Sequence, residues 1–233
     1  MAAPDHGTIS TVDRYDFLAM TRDGYDRTAA GYAERLHHHL DDKPLDLAML
    51  TAFAALVAST PNHRIVDVGC GTGATTAILG RQGLQPFGID LSSNMVSQAQ
   101  RLNPDLSFST GSMLDLAVPD ANVGGVCAWY STIHIPDEHL DEVFEEFHRV
   151  LIPGGLLLLA FQVGDEPRVL REAFGQAIEL TFFRRHPGDV TKRLERAGLH
   201  RHAELVRAPD SDGFESTPHA YVIARKDKNR SAS

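Results

Sequence analysis

The chain has 233 residues, 42% of them hydrophobic and 23% charged, which suits one α/β core and is short for two. A formal charge of −9 leaves no general reserve of positive charge for gripping a phosphate backbone, so the composition speaks against nucleic acid and for a small-molecule partner. Its two cysteines, Cys70 and Cys127, lie in strand-like stretches without metal-site spacing, so neither a disulfide framework nor a metal is expected.

The opening segment, MAAPDHGTIS, lacks the charged-then-apolar pattern of a secretion signal. The longest apolar run, Leu156 to Phe161, is too short to cross a bilayer, so the expectation is a cytoplasmic protein without a membrane partner, monomeric or homodimeric. Residues 13–58 carry two helical patterns. Tyr25, Ala29, Tyr32 and Leu36 share one face, and Leu47, Leu50, Phe53, Ala54 and Val57 share another, with Pro44 placed to open the second helix.

After the turn Thr60-Pro61-Asn62, a strand is predicted over 64–68, then a glycine loop and a helix over 74–81. A strand over 85–89, a helix over 92–102 and a strand over 106–109 repeat the pattern. Two βαβ units in series predict a parallel sheet with right-handed crossovers. A fourth strand over 123–130 leads to a helix over 137–151, with Asp137 as N-cap. The turn Pro153-Gly154-Gly155 then feeds the uninterrupted apolar strand 156–161, suited to burial on both faces.

About 25 residues separate that strand from a helix over 189–197. Strands over 199–207 and 219–225 follow too closely for a crossover helix and should pair as an antiparallel hairpin. The predicted fold is a Rossmann-like three-layer α/β sandwich with a seven-stranded, mostly parallel sheet. Residues 1–60 form an N-terminal helical cap, 61–226 the main domain and 227–233 a disordered tail.

The strongest chemical signal is Val66-Asp67-Val68-Gly69-Cys70-Gly71-Thr72-Gly73-Ala74, where small residues let a ligand approach the backbone as a strand turns into a helix N-terminus. Taken alone, this spacing also satisfies the dinucleotide fingerprint, and Asp90 at the end of the second strand suits an adenosine ribose in either case. Asp67 separates the two readings. A pyrophosphate beside it would place like charges about 6 Å apart, costing roughly 3 kcal/mol at an effective dielectric of about 20. A cationic sulfonium ligand meets no such repulsion, and Asp67 then either attracts it or ties down the glycine turn.

DVGCGTG, GIDLS, the GSM of Gly111 to Met113, the HIPD of His134 to Asp137 and LIPGG, in that order over about 65–160, resemble the class I S-adenosylmethionine-dependent methyltransferase family. The resemblance implies S-adenosyl-L-methionine as cofactor, bound by backbone groups of Gly69, Cys70 and Gly71. It implies Asp90 on both ribose hydroxyls, Leu91 and Met95 flanking the adenine, and Ser112 and Met113 at its edge. Ala128 and Trp129 would close the methionine side. The family's sheet has six parallel strands and one antiparallel strand, in accord with the hairpin read from the residues. Met95 and Met113 also suit plain core filling.

Tyr25 and Tyr32, in GYDRTAAGYAERL, resemble the N-terminal helix of small-molecule members, where a tyrosine covers the cofactor; as an aromatic stripe they could equally pack on the domain. Methyl transfer is an in-line displacement, for which the protein aligns a nucleophile and sometimes removes a proton. His134, after the fourth strand at the carboxyl edge of the sheet, is the candidate base, with a pocket-shaping role as its alternative. The acceptor would be an O, N or C nucleophile of a small molecule, touched by the 163–189 stretch with Phe174, Phe182, Phe183, Arg184 and Arg185, and by Phe161 and Gln162. His37-His38-His39 cannot converge on one ion if helical. Two rivals remain: a nicotinamide-dependent oxidoreductase, and a cofactor-binding protein with other chemistry.

Overall fold

Helix α1 (Asp16–Leu36) opens the computed structural model, which describes residues 15–211 and 215–228. Its last turn gives way to a run of turns over 37–42, so the three histidines leave the helix rather than continue it. Pro44 occupies the first turn of α2 (Pro44–Ala58), where a missing N–H costs nothing, and Leu50, Phe53, Ala54 and Val57 bury as their spacing predicts.

Seven strands make the main sheet: β1 (Arg64–Val68), β2 (Gln85–Asp90), β3 (Ser107–Thr110), β4 (Val123–Trp129), β5 (Leu151–Gln162), β8 (Leu199–Arg207) and β9 (His219–Lys226). Their order is β3-β2-β1-β4-β5-β9-β8. β9 runs antiparallel to both β5 and β8, so six strands point one way and one the other. Helices α3 (Ala74–Arg81), α4 (Ser93–Leu102), α5 (Asp137–Val150) and α6 (Pro187–Arg196) connect them. The expected Rossmann-like sandwich is thus observed, and the strand order reverses between β1 and β4, where open α/β sheets form a crevice at their carboxyl ends.

The run Leu156 to Phe161 shows why the centre reads as continuously apolar. Leu156, Leu158 and Ala160 join a core with α2 and α3, while Leu157, Leu159 and Phe161 join a second core with α5 and α6. Both faces of this strand are dry. Among the described residues, no helix is long and apolar enough to cross a membrane.

Three local readings need correction. The Pro153-Gly154-Gly155 turn lies inside β5, where it shifts the register from Val123↔Leu151 to Gly125↔Leu156, with Gly154 left-handed at φ +80°. Pro136, not Asp137, is the N-cap of α5; Asp137 sits in the first turn, where a carboxylate favours the helix dipole, and binds Arg185. The 163–189 stretch holds a second, two-stranded sheet: β6 (Arg168–Ala173) and β7 (Gln176–Phe182), joined at Phe174-Gly175. Of the expected tail, 229–233 lie outside the described residues.

Candidate functional site

A cavity of about 1030 Å³ opens at the carboxyl edge of the sheet, over the β1/β4 reversal. Its floor is the glycine loop and the ends of β2, β4 and β5; α1 and the β6–β7 hairpin line its other side. The hairpin and α1 fit through missing side chains. A Cβ at Gly24 would lie 2.7 Å from Leu180, and one at Gly31 would lie 2.6 Å from Phe174. α1 is also tied to the floor by Asp26, which accepts from Ser92 Oγ (2.5 Å) and from the Asn94 N–H (3.1 Å) at the start of α4.

In the glycine loop, Gly69 and Gly71 adopt left-handed φ values of +71° and +52°. A Cβ on Gly71 would meet no atom within 4 Å, so that backbone stands bare to the cavity, whereas one on Gly69 would come within 2.3 Å of Ser131 Cβ. The loop therefore presses against the turn after β4. Asp90 closes the same corner: its carboxylate accepts from the Gly71 N–H (2.8 Å) and the Ser92 N–H (2.9 Å). Burial raises Asp90 to about 6 against the pull of those two N–H groups, so near neutrality it presents a carboxylate with lone pairs left for a ligand.

Of the residues expected to bind cofactor, Tyr25, Gly69, Cys70, Gly71, Asp90, Leu91, Met95, Ser112, Met113 and Trp129 all line this one cavity. Asp67 and Ala128 do not. Both are fully buried beneath it; Asp67 accepts the Thr76 hydroxyl at 2.6 Å and is raised to about 7 by desolvation. Side chains alternate along a strand, and the pair Val66/Val68 faces the opposite way, so a carboxylate two residues ahead of the turn points into α3 rather than at a ligand.

His134 lines the cavity with both ring nitrogens engaged. Nδ1 faces the Thr181 carbonyl of β7 at 2.8 Å and must carry the proton; Nε2 then accepts from the Tyr25 hydroxyl at 2.6 Å. Burial lowers its value to about 4, so it stays neutral. In this geometry the ring ties α1 and the hairpin to the sheet edge and leaves no lone pair for a substrate proton.

The arginines expected to meet a substrate do not reach the cavity. Arg185 is buried against Asp137 and the carbonyls of Thr132 and Ile135, and Arg184 donates to Ser216 Oγ at 3.1 Å. Phe174 and Phe182 line the cavity, whereas Phe161 belongs to the core. His37 meets Thr72 Oγ1 at 3.0 Å, and no cluster of metal-ligating side chains occurs among the described residues.

Gln162 lines the cavity as expected, but sequence reading missed the rest of its far end, where Tyr130, Ser131, His219, Asp46 and Glu215 meet it. Asp46 and Arg207 form a buried ion pair at 3.1 Å, and Arg207 also binds Glu215, which it holds down at about 2 despite the opposing effect of burial. Nothing in a local motif links residues so far apart in the chain. Only the buried fraction of acidic Asp46, on the inner face of an otherwise apolar helix, could have hinted at a partner.

A family model described as a methyltransferase domain matches residues 65–155. An uncharacterized methyltransferase of Geobacillus kaustophilus is 27% identical over 165 residues, 70% of this chain and 72% of that protein. An O-methyltransferase of Aspergillus sclerotiorum is 28% identical, over 67% of this chain and 71% of that one. The structure of magnesium protoporphyrin IX methyltransferase from Synechocystis, with bound S-adenosylmethionine, superposes with a TM-score of 0.69 at 16% identity, covering 94% of this chain and 100% of that one. The bare Gly71 backbone and the Asp90 carboxylate form a cradle suited to a nucleoside, and over 65–155 the chain is similar to the methyltransferase domain, on the fold that the Synechocystis methyltransferase shares.

Proposed function

We propose that the protein methylates a small molecule held beside the cofactor in the same cavity. The observation that carries this reading is volume. At about 1030 Å³ the space sits at the top of the range of roughly 300–1,000 Å³ typical of single-ligand pockets, and the cofactor's corner occupies only the β1–β3 side. The remainder, over β4, β5 and β9, is walled by Leu170, Phe174, Leu180 and Phe182 of the hairpin, a lining for an apolar body. The net charge of −9 and the lining α1 and hairpin both disfavour a polymeric nucleic acid.

In this reading Gly69, Cys70 and Gly71 offer backbone groups to the methionine part of the cofactor, and Asp90 takes the ribose hydroxyls. Leu91 and Met95 flank the adenine, with Ser112 and Met113 at its edge. Trp129 and Ser131 close the methionine side, and Tyr25, locked by His134, covers it. When bound, the cofactor supplies a methyl carbon already activated by a sulfonium. The chain's own task is to align an O, N or C nucleophile in line with that carbon and to keep water out.

Calorimetry with S-adenosylmethionine and S-adenosylhomocysteine, followed by incubation of labelled cofactor with phenols, alcohols, carboxylates, amines and activated carbon acids, tests this. Binding of both nucleosides and label in at least one small acceptor is expected. Label found only in protein or nucleic acid would overturn the small-molecule assignment.

A further inference from the structure

Three histidines border the cavity, His39, His134 and His219, and the hydrogen bonds of the two at the sheet edge, His134 and His219, differ. His134 has both nitrogens occupied, as described. His219, the first residue of β9, has one. Its Nδ1 lies 2.5 Å from the Tyr130 hydroxyl, while its Nε2, on a side chain only 7% exposed, has no hydrogen-bond partner among the described residues.

The network behind His219 decides where its proton sits. Tyr221 donates its hydroxyl hydrogen to Asp46 Oδ1 at 2.8 Å and accepts from Arg207 Nε at 2.9 Å. The 3.0 Å contact between the Tyr130 and Tyr221 hydroxyls must then use the Tyr130 hydrogen. With that hydrogen spent, Tyr130 can only accept from His219, so Nδ1 carries the imidazole proton and Nε2 is a bare lone pair. A base oriented by a hydroxyl relay that ends on a buried carboxylate is the arrangement that activates imidazole elsewhere in enzyme chemistry.

The surroundings support this role. Tyr130 holds its side chain in place from a left-handed backbone, φ +52°, an uncommon conformation for an aromatic residue and a frequent mark of a functional site. Gln162, the cross-strand partner of His219, lines the cavity beside it, with Oε1 also unpartnered among the described residues. This end therefore holds two buried, unpartnered hydrogen-bond acceptors on side chains that line the cavity, which the apolar hairpin residues line as well. The charged groups around His219 are Glu215 at 3.8 Å, Asp46 on α2, Arg207 on β8 and Lys43 ahead of α2, so a positive charge on the ring would face two carboxylates and two cations. Burial outweighs the carboxylates and keeps the resting ring neutral.

We infer that His219 is the general base of the transfer, and that the acceptor is a hydroxyl-bearing molecule with an apolar body whose proton passes to Nε2. The inference rests on the methyltransferase reading above and adds the acceptor's chemical class to it. The acceptor oxygen attacks the methyl carbon, the carbon–sulfur bond breaks with its electron pair going to sulfur, and the acceptor's O–H proton moves to Nε2. The products are a methyl ether, the neutral thioether and an imidazolium, so the positive charge of the sulfonium ends on His219. Tyr130 acts as a positioning residue, fixing the tautomer that leaves Nε2 free.

The test is long-range proton–nitrogen NMR on the ¹⁵N-histidine-labelled protein saturated with S-adenosylhomocysteine, with His219→Asn assigning the signal. At pH 7.5, a proton on Nδ1 and a bare Nε2 are expected; a proton on Nε2 would overturn the proposal. Phenol, added as a hydroxyl probe, should shift the Nε2 resonance, and an unmoved resonance in a protein that still binds the homocysteine nucleoside would overturn it as well. Failure to bind that nucleoside would instead sink the underlying methyltransferase reading. Tyr130→Phe should return the ring to a mixture of tautomers. For the acceptor found by labelling, His219→Asn should lower turnover at least about a hundredfold and remove the rise of rate with pH, with donor affinity kept within about twofold. Retained turnover, or a pH profile unchanged in shape, would exclude His219 as the base.

Discussion

The two halves of the cavity are built in different ways. The half proposed for the donor, over β1, β2 and β3, is made of backbone and one carboxylate: the bare Gly71 backbone and Asp90, which accepts from the Gly71 N–H of one short motif and the Ser92 N–H of the next. The half proposed for the acceptor, over β4, β5 and β9, is made of side chains brought together from α2, β4, β5, β8 and β9. The first half relies on groups that the strand-to-helix turn itself requires. The second relies on side chains that no turn requires and that only the fold brings together.

If the halves are independent, damage to one should spare the other. The largest effect is expected at Asp46→Asn. It leaves Arg207 buried without its full partner and takes from the Tyr221 hydroxyl a charged acceptor, costing roughly 3–5 kcal/mol of stability by urea unfolding. Affinity of the remaining folded protein for S-adenosylhomocysteine should be unchanged; a parallel fall would show that the halves are coupled.

Asp90→Asn is the reciprocal experiment. Losing the charged acceptor at the end of β2 should weaken the nucleoside by about 1.5–3 kcal/mol, roughly ten- to a hundredfold in Kd by calorimetry. The tautomer of His219 should stay as in the parent protein. An unchanged Kd would remove Asp90 from the donor half.

Asp67 sharpens the comparison through pH. Its carboxyl titrates near 7 in the folded protein against an ordinary value of 3.8, so the native state binds its proton more tightly than the unfolded chain does. That contribution is present below about 3.8 and is lost as pH rises toward 7. The stability of the parent minus that of Asp67→Asn should therefore fall across this window, by up to roughly 1.4 kcal/mol per pH unit. His134, lowered from 6.5 to about 4, acts in the opposite sense as pH falls, but it is common to both proteins and cancels. A flat difference would mean that Asp67 is solvated or paired by the loop.

The smallest effect is expected where the halves share a lid. Tyr25→Phe removes the bond to His134 Nε2, worth about 0.5–1.5 kcal/mol, and should weaken donor binding severalfold. No change in Kd would make Tyr25 a packing residue only.

Much of the donor half was legible because the forces that shape it are local. A glycine is needed where φ is positive, an apolar run is needed where a strand is covered on both faces, and these demands fall on consecutive residues. At Asp67 the same locality left two readings open, an attraction for the ligand or a tie for the glycine turn, and the structure gives its Oδ2 the Thr76 hydroxyl of α3 as partner. The β6–β7 hairpin was hidden for the opposite reason. Its turn uses Phe174, at φ +51°, in place of the usual Asn or Asp, and the ring is seated against Gly31 of α1, a contact between residues far apart in the chain.

From its sequence alone the protein is committed to a parallel α/β sheet, a nucleoside cradle at the first turn and a closing hairpin, since hydrophobic period and turn chemistry act over a few residues. Which histidine offers a lone pair was decided only by tertiary structure. Tyr25 and the Thr181 carbonyl occupy both nitrogens of His134, while Tyr130, Tyr221 and Asp46 together set the proton of His219. A hydrogen atom's position depends on every partner in its network at once, and those partners meet only when the chain is folded.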